Sequence, residues 1–218
     1  MRLRKIAGAD EAVAMHEKVL KIKELSKEEF VALTEEKELY LEIGMGKGDF
    51  LLGMAEKYPE RFFLGMEKYS SVLLKALQKY DKIEEKPDNL RFLWENAMEL
   101  SECFAENSLD GIYLNFSDPW PKERYAKRRL TAEGFLQDYQ RILKPGKKVE
   151  MKTDNENLFR FSLESFENSP YFEIEKVYWD LHQEIRPEEN VMTEYERKFA
   201  AKGNPIYKLI AVRKQKAL

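Results

Sequence analysis

The chain has 218 residues, a net charge of −3, 35% charged residues and 43% apolar ones, which predicts one domain with a sizeable core. A single cysteine, Cys103, excludes an internal disulfide and a cysteine-rich metal site, and two histidines, His16 and His182, are too few for a histidine-based one, so no metal is expected. No apolar run approaches the ~20 residues that span a membrane, and MRLRKIAGAD lacks the apolar stretch of a signal peptide, so a cytoplasmic protein without a membrane partner is expected.

Residues Asp10 to Leu25 read as a first helix, with Val13, Val19, Leu20 and Ile22 on its apolar side. Alternation then begins. Leu39–Ile43 reads as a strand, followed by a Gly-rich turn and a helix from about Asp49 to Tyr58. Arg61–Met66 is a second strand. Tyr69–Tyr80 is a helix, with Val72, Leu73, Ala76, Leu77 and Tyr80 at helical spacing. Leu90–Leu93 and Leu109–Leu114 are the third and fourth strands. A helix over Thr131–Leu143 ends at Lys144-Pro145-Gly146, and Lys148–Lys152 is the fifth strand. After a helix over Glu156–Glu167, Phe172–Leu181 and Pro205–Val212 read as an antiparallel pair that closes the sheet. The pattern predicts a doubly wound α/β fold with a mostly parallel, seven-stranded sheet. Residues 1–37 would form an N-terminal arm and helix, and 38–213 the core of one domain.

Sheets of this kind bind ligands at the C-terminal ends of their strands. The first turn, EIGMGKG, runs from Glu42 to Gly48. Gly44, Gly46 and Gly48 let a ligand approach the main chain. Their spacing is G-x-G-x-G, not the G-x-G-x-x-G of dinucleotide enzymes, which disfavours a dehydrogenase on the same fold. Glu67 ends the second strand, where a carboxylate can accept both hydroxyls of a ribose. Asn96 follows the third strand and can meet an adenine edge or simply start a helix. This half-site recognises adenosine and needs no pyrophosphate, so S-adenosylmethionine fits it.

The fourth strand leads into NFSDPWPK, Asn115 to Lys122. Pro119 and Pro121 stiffen the loop, Trp120 offers a flat face, and Asp118 stands just before the rigid part. The segment KERYAKRR, Lys122 to Arg129, carries five Lys/Arg against one Glu. Arg2, Arg4, Lys5 and the stretch from Lys208 onward are also basic. Local basic patches on an acidic chain suit selective contact with phosphates. A carboxylate, an aromatic plate and a basic strip together point to chemistry on a nucleic-acid base.

These pieces resemble the bacterial tRNA (guanine-N7-)-methyltransferase family. The matching segments are EIGMGKG, Glu67, Asn96-Ala97, NFSDPWPK, KRRLT at Lys127–Thr131, KTDN at Lys152–Asn155, MTEYERKF at Met192–Phe199 and Gly203 to Tyr207. The resemblance implies a class I, Rossmann-like methyltransferase fold. It also implies S-adenosylmethionine as methyl donor and N7 of guanosine 46 in the tRNA variable loop as target. By resemblance, Glu42, Glu67, Asn96 and Asp118 contact the donor, and Asp118 is also catalytic. Lys122, Asp154, Thr193, Glu194, Tyr195 and Glu196 bind the target nucleotide. Arg124, Lys127, Arg128 and Arg129 contact RNA. The family's Lys-Pro-Trp stretch after Met-Arg-x-Arg is replaced here by Lys5-Ile6-Ala7-Gly8. The partner implied is tRNA, with monomer and homodimer both open.

Guanine N7 carries a lone pair and no proton, so its methylation needs no general base. The barrier lies in placement. Positive charge moves onto the purine, and a carboxylate such as Asp118, with Asp154 or Glu196 on the donor edge of the base, can stabilise and orient it.

Overall fold

The computed structural model describes residues 5–215. Arg2, Arg4 and Lys216, counted among the basic residues above, lie outside this range. The chain divides into two compact units, one up to Cys103 and one from Phe104 onward. Eight strands are present among the described residues, one more than expected.

In the first unit the strands are β1 (Val19–Leu20), β2 (Glu38–Ile43), β3 (Arg61–Met66) and β4 (Leu90–Leu93). They lie parallel in the order β1-β4-β3-β2. The helices are α1 (Ala9–Ala14), α2 (Lys27–Thr34), α3 (Asp49–Lys57), α4 (Ser70–Asp81) and α5 (Leu100–Cys103). All of β3 after Arg61 is buried. A Cβ on Gly65 would press on the side chains of Met45 and Leu51, which would have to shift to make room. Asn89 pins the sheet to its helix layer: its amide donates to the carbonyls of Ala55, Tyr58 and Arg61 at 3.1, 3.1 and 2.9 Å.

The long helix expected over Asp10–Leu25 is corrected. It stops at Ala14, and Val19 and Leu20 pair with Phe92 and Leu93 as the extra strand β1. The edge of β4 supplies main-chain partners that override the helical spacing of the apolar residues. Helix α2 was not expected at all, although Ser26 and Glu29 form the capping box that announces it.

In the second unit the strands are β5 (Leu109–Asn115), β6 (Leu143–Thr153), β7 (Phe172–Tyr178) and β8 (Tyr207–Arg213), in the order β5-β6-β8-β7. β5 and β6 are parallel, and β8 is antiparallel to both its neighbours. The helices are α6 (Glu133–Ile142), α7 (Glu156–Glu167), α8 (Leu181–Glu184) and α9 (Glu194–Ala200). Every residue of β5 is buried, as its apolar run requires. β6 begins five residues earlier than Lys148, and its register with β5 shifts between Leu109 and Gly111. Pro145 and Gly146 sit in this irregularity, one of the few places a strand tolerates proline. Buried Asp110 clamps it through Lys144 at 2.7 Å and Lys147 at 3.2 Å.

Candidate active site

The Gly turn after β2 is bonded to the end of β3. The amides of Gly44 and Met45 donate to the Met66 carbonyl at 2.8 and 3.1 Å. The Glu67 carboxylate, only 7% exposed, accepts from the Gly46 amide at 3.3 Å and the Tyr69 amide at 3.0 Å. Burial raises the Glu67 pKa, and the bonds from Tyr69 and Gly46 and the nearby Lys68 offset this only in part. Gly44 and Gly46 both have left-handed backbones, and a Cβ on either would meet nothing within 4 Å. The space over the turn is therefore open to a ligand. Glu42, in β2, is buried.

Beside Glu67 lies a cleft of about 440 Å³ lined by Lys68, Tyr69, Trp94, Glu95, Asn96 and Glu99. Asn96 caps the short turn Ala97–Glu99, its oxygen accepting from the Met98 amide at 3.2 Å. Its NH₂ group is the end suited to a ligand's acceptor. Trp94 is held by a bond from its indole N–H to the Lys68 carbonyl at 3.1 Å. An adenosine with a free ribose diol fits this set: an acceptor at Glu67, an amide at Asn96, and aromatic walls at Tyr69 and Trp94. The two aromatic residues carried no sequence signal for this role.

In the second unit, β5 ends at Asn115 and the main chain turns sharply. Phe116 and Trp120 have φ of 51° and 43° without being glycine, a strain of about 1–3 kcal/mol each. Asp118 stands exposed between them. The Phe116 amide donates to the Lys152 carbonyl at 2.8 Å, which ties the loop to β6. Trp120 packs edge-on to Tyr125 at 5.9 Å, and the Arg128 guanidinium lies 5.0 Å from both rings. Arg124 lies 4.9 Å from Tyr125. Lys122 and Lys127 are exposed. Arg129 instead turns inward to the Pro119 and Trp120 carbonyls.

β6 delivers KTDN to the same place. Asn155, not Asp154, caps α7, accepting from the Leu158 amide at 2.8 Å. Asp154 instead accepts from the Tyr195 hydroxyl at 3.4 Å. The Tyr195 ring lies 5.1 Å from Phe116 and stacks on Phe199 at 4.1 Å. Burial, then the charge of Asp154, raises the Tyr195 pKa. Three segments far apart in sequence thus meet through Phe116, Asp154 and Tyr195.

The four residues of the run Thr193–Glu196 are not equivalent. The Thr193 hydroxyl caps α9, accepting from the Glu196 amide at 2.8 Å. Glu194 pairs with Lys198. Tyr195 is 43% exposed, whereas Glu196 is 0% exposed. One Glu196 oxygen takes Lys152 at 2.7 Å, and the other takes His182 at 3.0 Å and Asn190 at 2.5 Å. Glu196, expected at the nucleotide, is placed instead inside the unit, where it holds α9 against β6. His182 and Asn190 carried no sequence signal for this role.

A family model described as "Putative methyltransferase" matches residues 36–209. The tRNA (guanine-N(7)-)-methyltransferase of Lachnoclostridium phytofermentans is 44% identical over 216 residues, covering 99% of this chain and 100% of that one. That of Limosilactobacillus reuteri is 51% identical over 176 residues, 81% of each chain. Among solved structures, the 16S rRNA methyltransferase KamB matches with a TM-score of 0.64 and 14% identity, over 88% of this chain and 95% of that one, a likeness in fold. The chain belongs to the tRNA (guanine-N(7)-)-methyltransferase family.

Proposed function

We propose that this chain methylates N7 of guanosine 46 in the tRNA variable loop, with S-adenosylmethionine as methyl donor. The meeting of the Asn115–Lys122 loop, Asp154 and Tyr195 at the ends of β5 and β6 carries the reading. Full-length similarity to named tRNA (guanine-N(7)-)-methyltransferases supports it.

The nucleoside of the donor is assigned to Gly44, Gly46, Gly48, Glu42, Glu67 and Asn96, with Asp118 as a further contact. Bound there, S-adenosylmethionine supplies an electrophilic methyl group on a sulfonium. Glu67 accepts the ribose hydroxyls. Asp118 orients the guanine through its N–H groups and stabilises the positive charge that grows on the ring. It removes no proton from N7, which has none. Lys122, Asp154, Thr193, Glu194 and Tyr195 hold the target nucleotide, and Glu196 serves them by fixing α9. Taking the base out of tRNA tertiary structure costs a few kcal/mol, and an aromatic face such as Tyr195 or Trp120 returns about 1–3 kcal/mol by stacking. The exposed cations of the basic strip, Lys122, Arg124, Lys127 and Arg128, contact RNA phosphates. The protein works in the cytoplasm as a single methyltransferase domain.

The test is methyl transfer to unmodified tRNA, with the modified base and its position identified by mass. Asp118→Asn should fold and bind S-adenosylhomocysteine but lose turnover. Methylation at another atom or position, or normal turnover by Asp118→Asn, would refute the assignment.

A further inference from the structure

The basic strip divides into two kinds of residue. Lys122 and Lys127 are exposed, and Arg124 and Arg128 lie against aromatic rings at the surface. Arg129 differs. Its Nε donates to the Pro119 carbonyl and its Nη2 to the Trp120 carbonyl, both at 3.1 Å. The guanidinium lies 4.3 Å from the Phe161 ring of α7. The two carbonyls belong to the residues directly after Asp118. The main chain on both sides of Asp118 is left-handed, at Phe116 and Trp120, a conformation that persists only where its surroundings impose it. One planar fork seated on a ring and bonded to two successive carbonyls supplies such an imposition. A lysine ammonium can donate to carbonyls but lacks the rigid planar fork that lies flat on a ring while its separate nitrogens meet two carbonyls.

We propose that Arg129 is a positioning residue for methyl transfer, which holds the strained loop that presents Asp118, and not a phosphate contact. The proposal rests on the reading of Asp118 given above. Misplacing a reacting group by about 1 Å can cost ~100-fold in rate, so the effect belongs in kcat.

The full chain with Arg129→Lys is compared with the unsubstituted chain in three measurements: kcat at saturating tRNA, tRNA affinity against salt, and amide hydrogen exchange of residues 116–122. The expected result is a kcat about 10- to 100-fold lower, an unchanged salt slope and faster exchange in the loop. Normal kcat with a shallower salt slope would make Arg129 an RNA contact and overturn the proposal. So would unchanged exchange. If Arg129→Lys melts below the assay temperature, Phe161→Leu decides. It keeps the arginine but removes the ring beneath it, and should lower kcat and loosen the loop in the same direction. An unchanged kcat and unchanged exchange in that variant refute the proposal. Failure of the unsubstituted chain to methylate tRNA would sink the functional reading instead, while the exchange rates still report on the staple.

Discussion

Lys152 and Glu196 form an ion pair that water does not reach. Nζ lies 2.7 Å from Oε2, and the side chains are 4% and 0% exposed. Lys152 also donates to the Val191 carbonyl at 2.9 Å and the Asn190 side chain at 3.3 Å. One strand residue therefore holds both the segment before α9 and α9 itself. Tyr195 precedes Glu196 in the same helix, α9.

Removing one partner strands a buried charge. Glu196→Leu should lower the free energy of unfolding by about 3–5 kcal/mol, read from denaturant titrations. Burial pushes the Glu196 carboxyl up, but the Lys152 charge and the bonds from Lys152, Asn190 and His182 outweigh it and hold the pKa below the ordinary value. A lowered folded pKa contributes stability above the unfolded value, and that stability is lost as pH falls through the folded one. Glu196→Gln should therefore flatten the acid limb of the stability curve. The same acid limb in both proteins would show that the pair does not act this way.

Glu67 has the opposite sign. Its folded pKa is raised above 4.5, so in the free protein it contributes stability below the unfolded value and loses it as pH rises through the folded one. Accepting ribose hydroxyls requires the ionised form. Affinity for S-adenosylhomocysteine should thus fall with acidification at a higher pH than an ordinary carboxylate allows. Glu67→Gln should bind more weakly, by on the order of 1.5–3 kcal/mol, and with no dependence on pH in that range. Titration calorimetry from about pH 4 to 7, the span of ordinary and raised carboxyl titration, measures both. A pH-dependent Glu67→Gln protein would place the titrating group elsewhere.

The parts legible in the sequence are those whose partners are close or whose pattern is local. The buried run Leu109–Leu114 is β5, and the Gly turn leads into α3 as its spacing requires. Asp154 and Tyr195 do come together. Less legible are the places where a partner outside the local pattern decides. Val19 and Leu20 leave a helical pattern because β4 offers an edge. Glu196 goes inside because Lys152, 44 positions away, is there to meet it. Arg129 has the composition of its basic neighbours, and only the position of the Pro119 and Trp120 carbonyls separates it from them.

Tyr195 should matter mainly for its ring. The ring stacks on Phe199 at 4.1 Å and meets Phe116 at 5.1 Å, whereas the hydroxyl reaches Asp154 over a long 3.4 Å. Tyr195→Phe should keep most of the activity. Tyr195→Ala loses stacking of about 0.5–1.5 kcal/mol per aromatic pair and any base seated on it, so KM for tRNA should rise and kcat fall. Equal losses in the two variants would shift the role from the ring to the hydroxyl.

The last expectation concerns Lys122 and Lys127. Both are exposed, and both belong to a strip of five cations in a chain of net charge −3. If they meet phosphates, neutralising both to Gln should weaken tRNA binding and flatten the log–log salt slope by about 0.7–0.9 for each phosphate that no longer meets a cation. Exposed substitutions of this kind change stability by roughly 0.5 kcal/mol or less, so the melting temperature should hardly move. Affinity for S-adenosylhomocysteine should stay the same, because the Gly turn and Glu67 lie outside the strip. Binding measured at several salt concentrations, beside a melting curve, separates this from a structural effect. A lower melting temperature with an unchanged slope would mean that the two lysines serve the fold and not the RNA. An unchanged slope in a stable protein would move the phosphate-binding role to other cations, with Arg124 and Arg128 the next to neutralise.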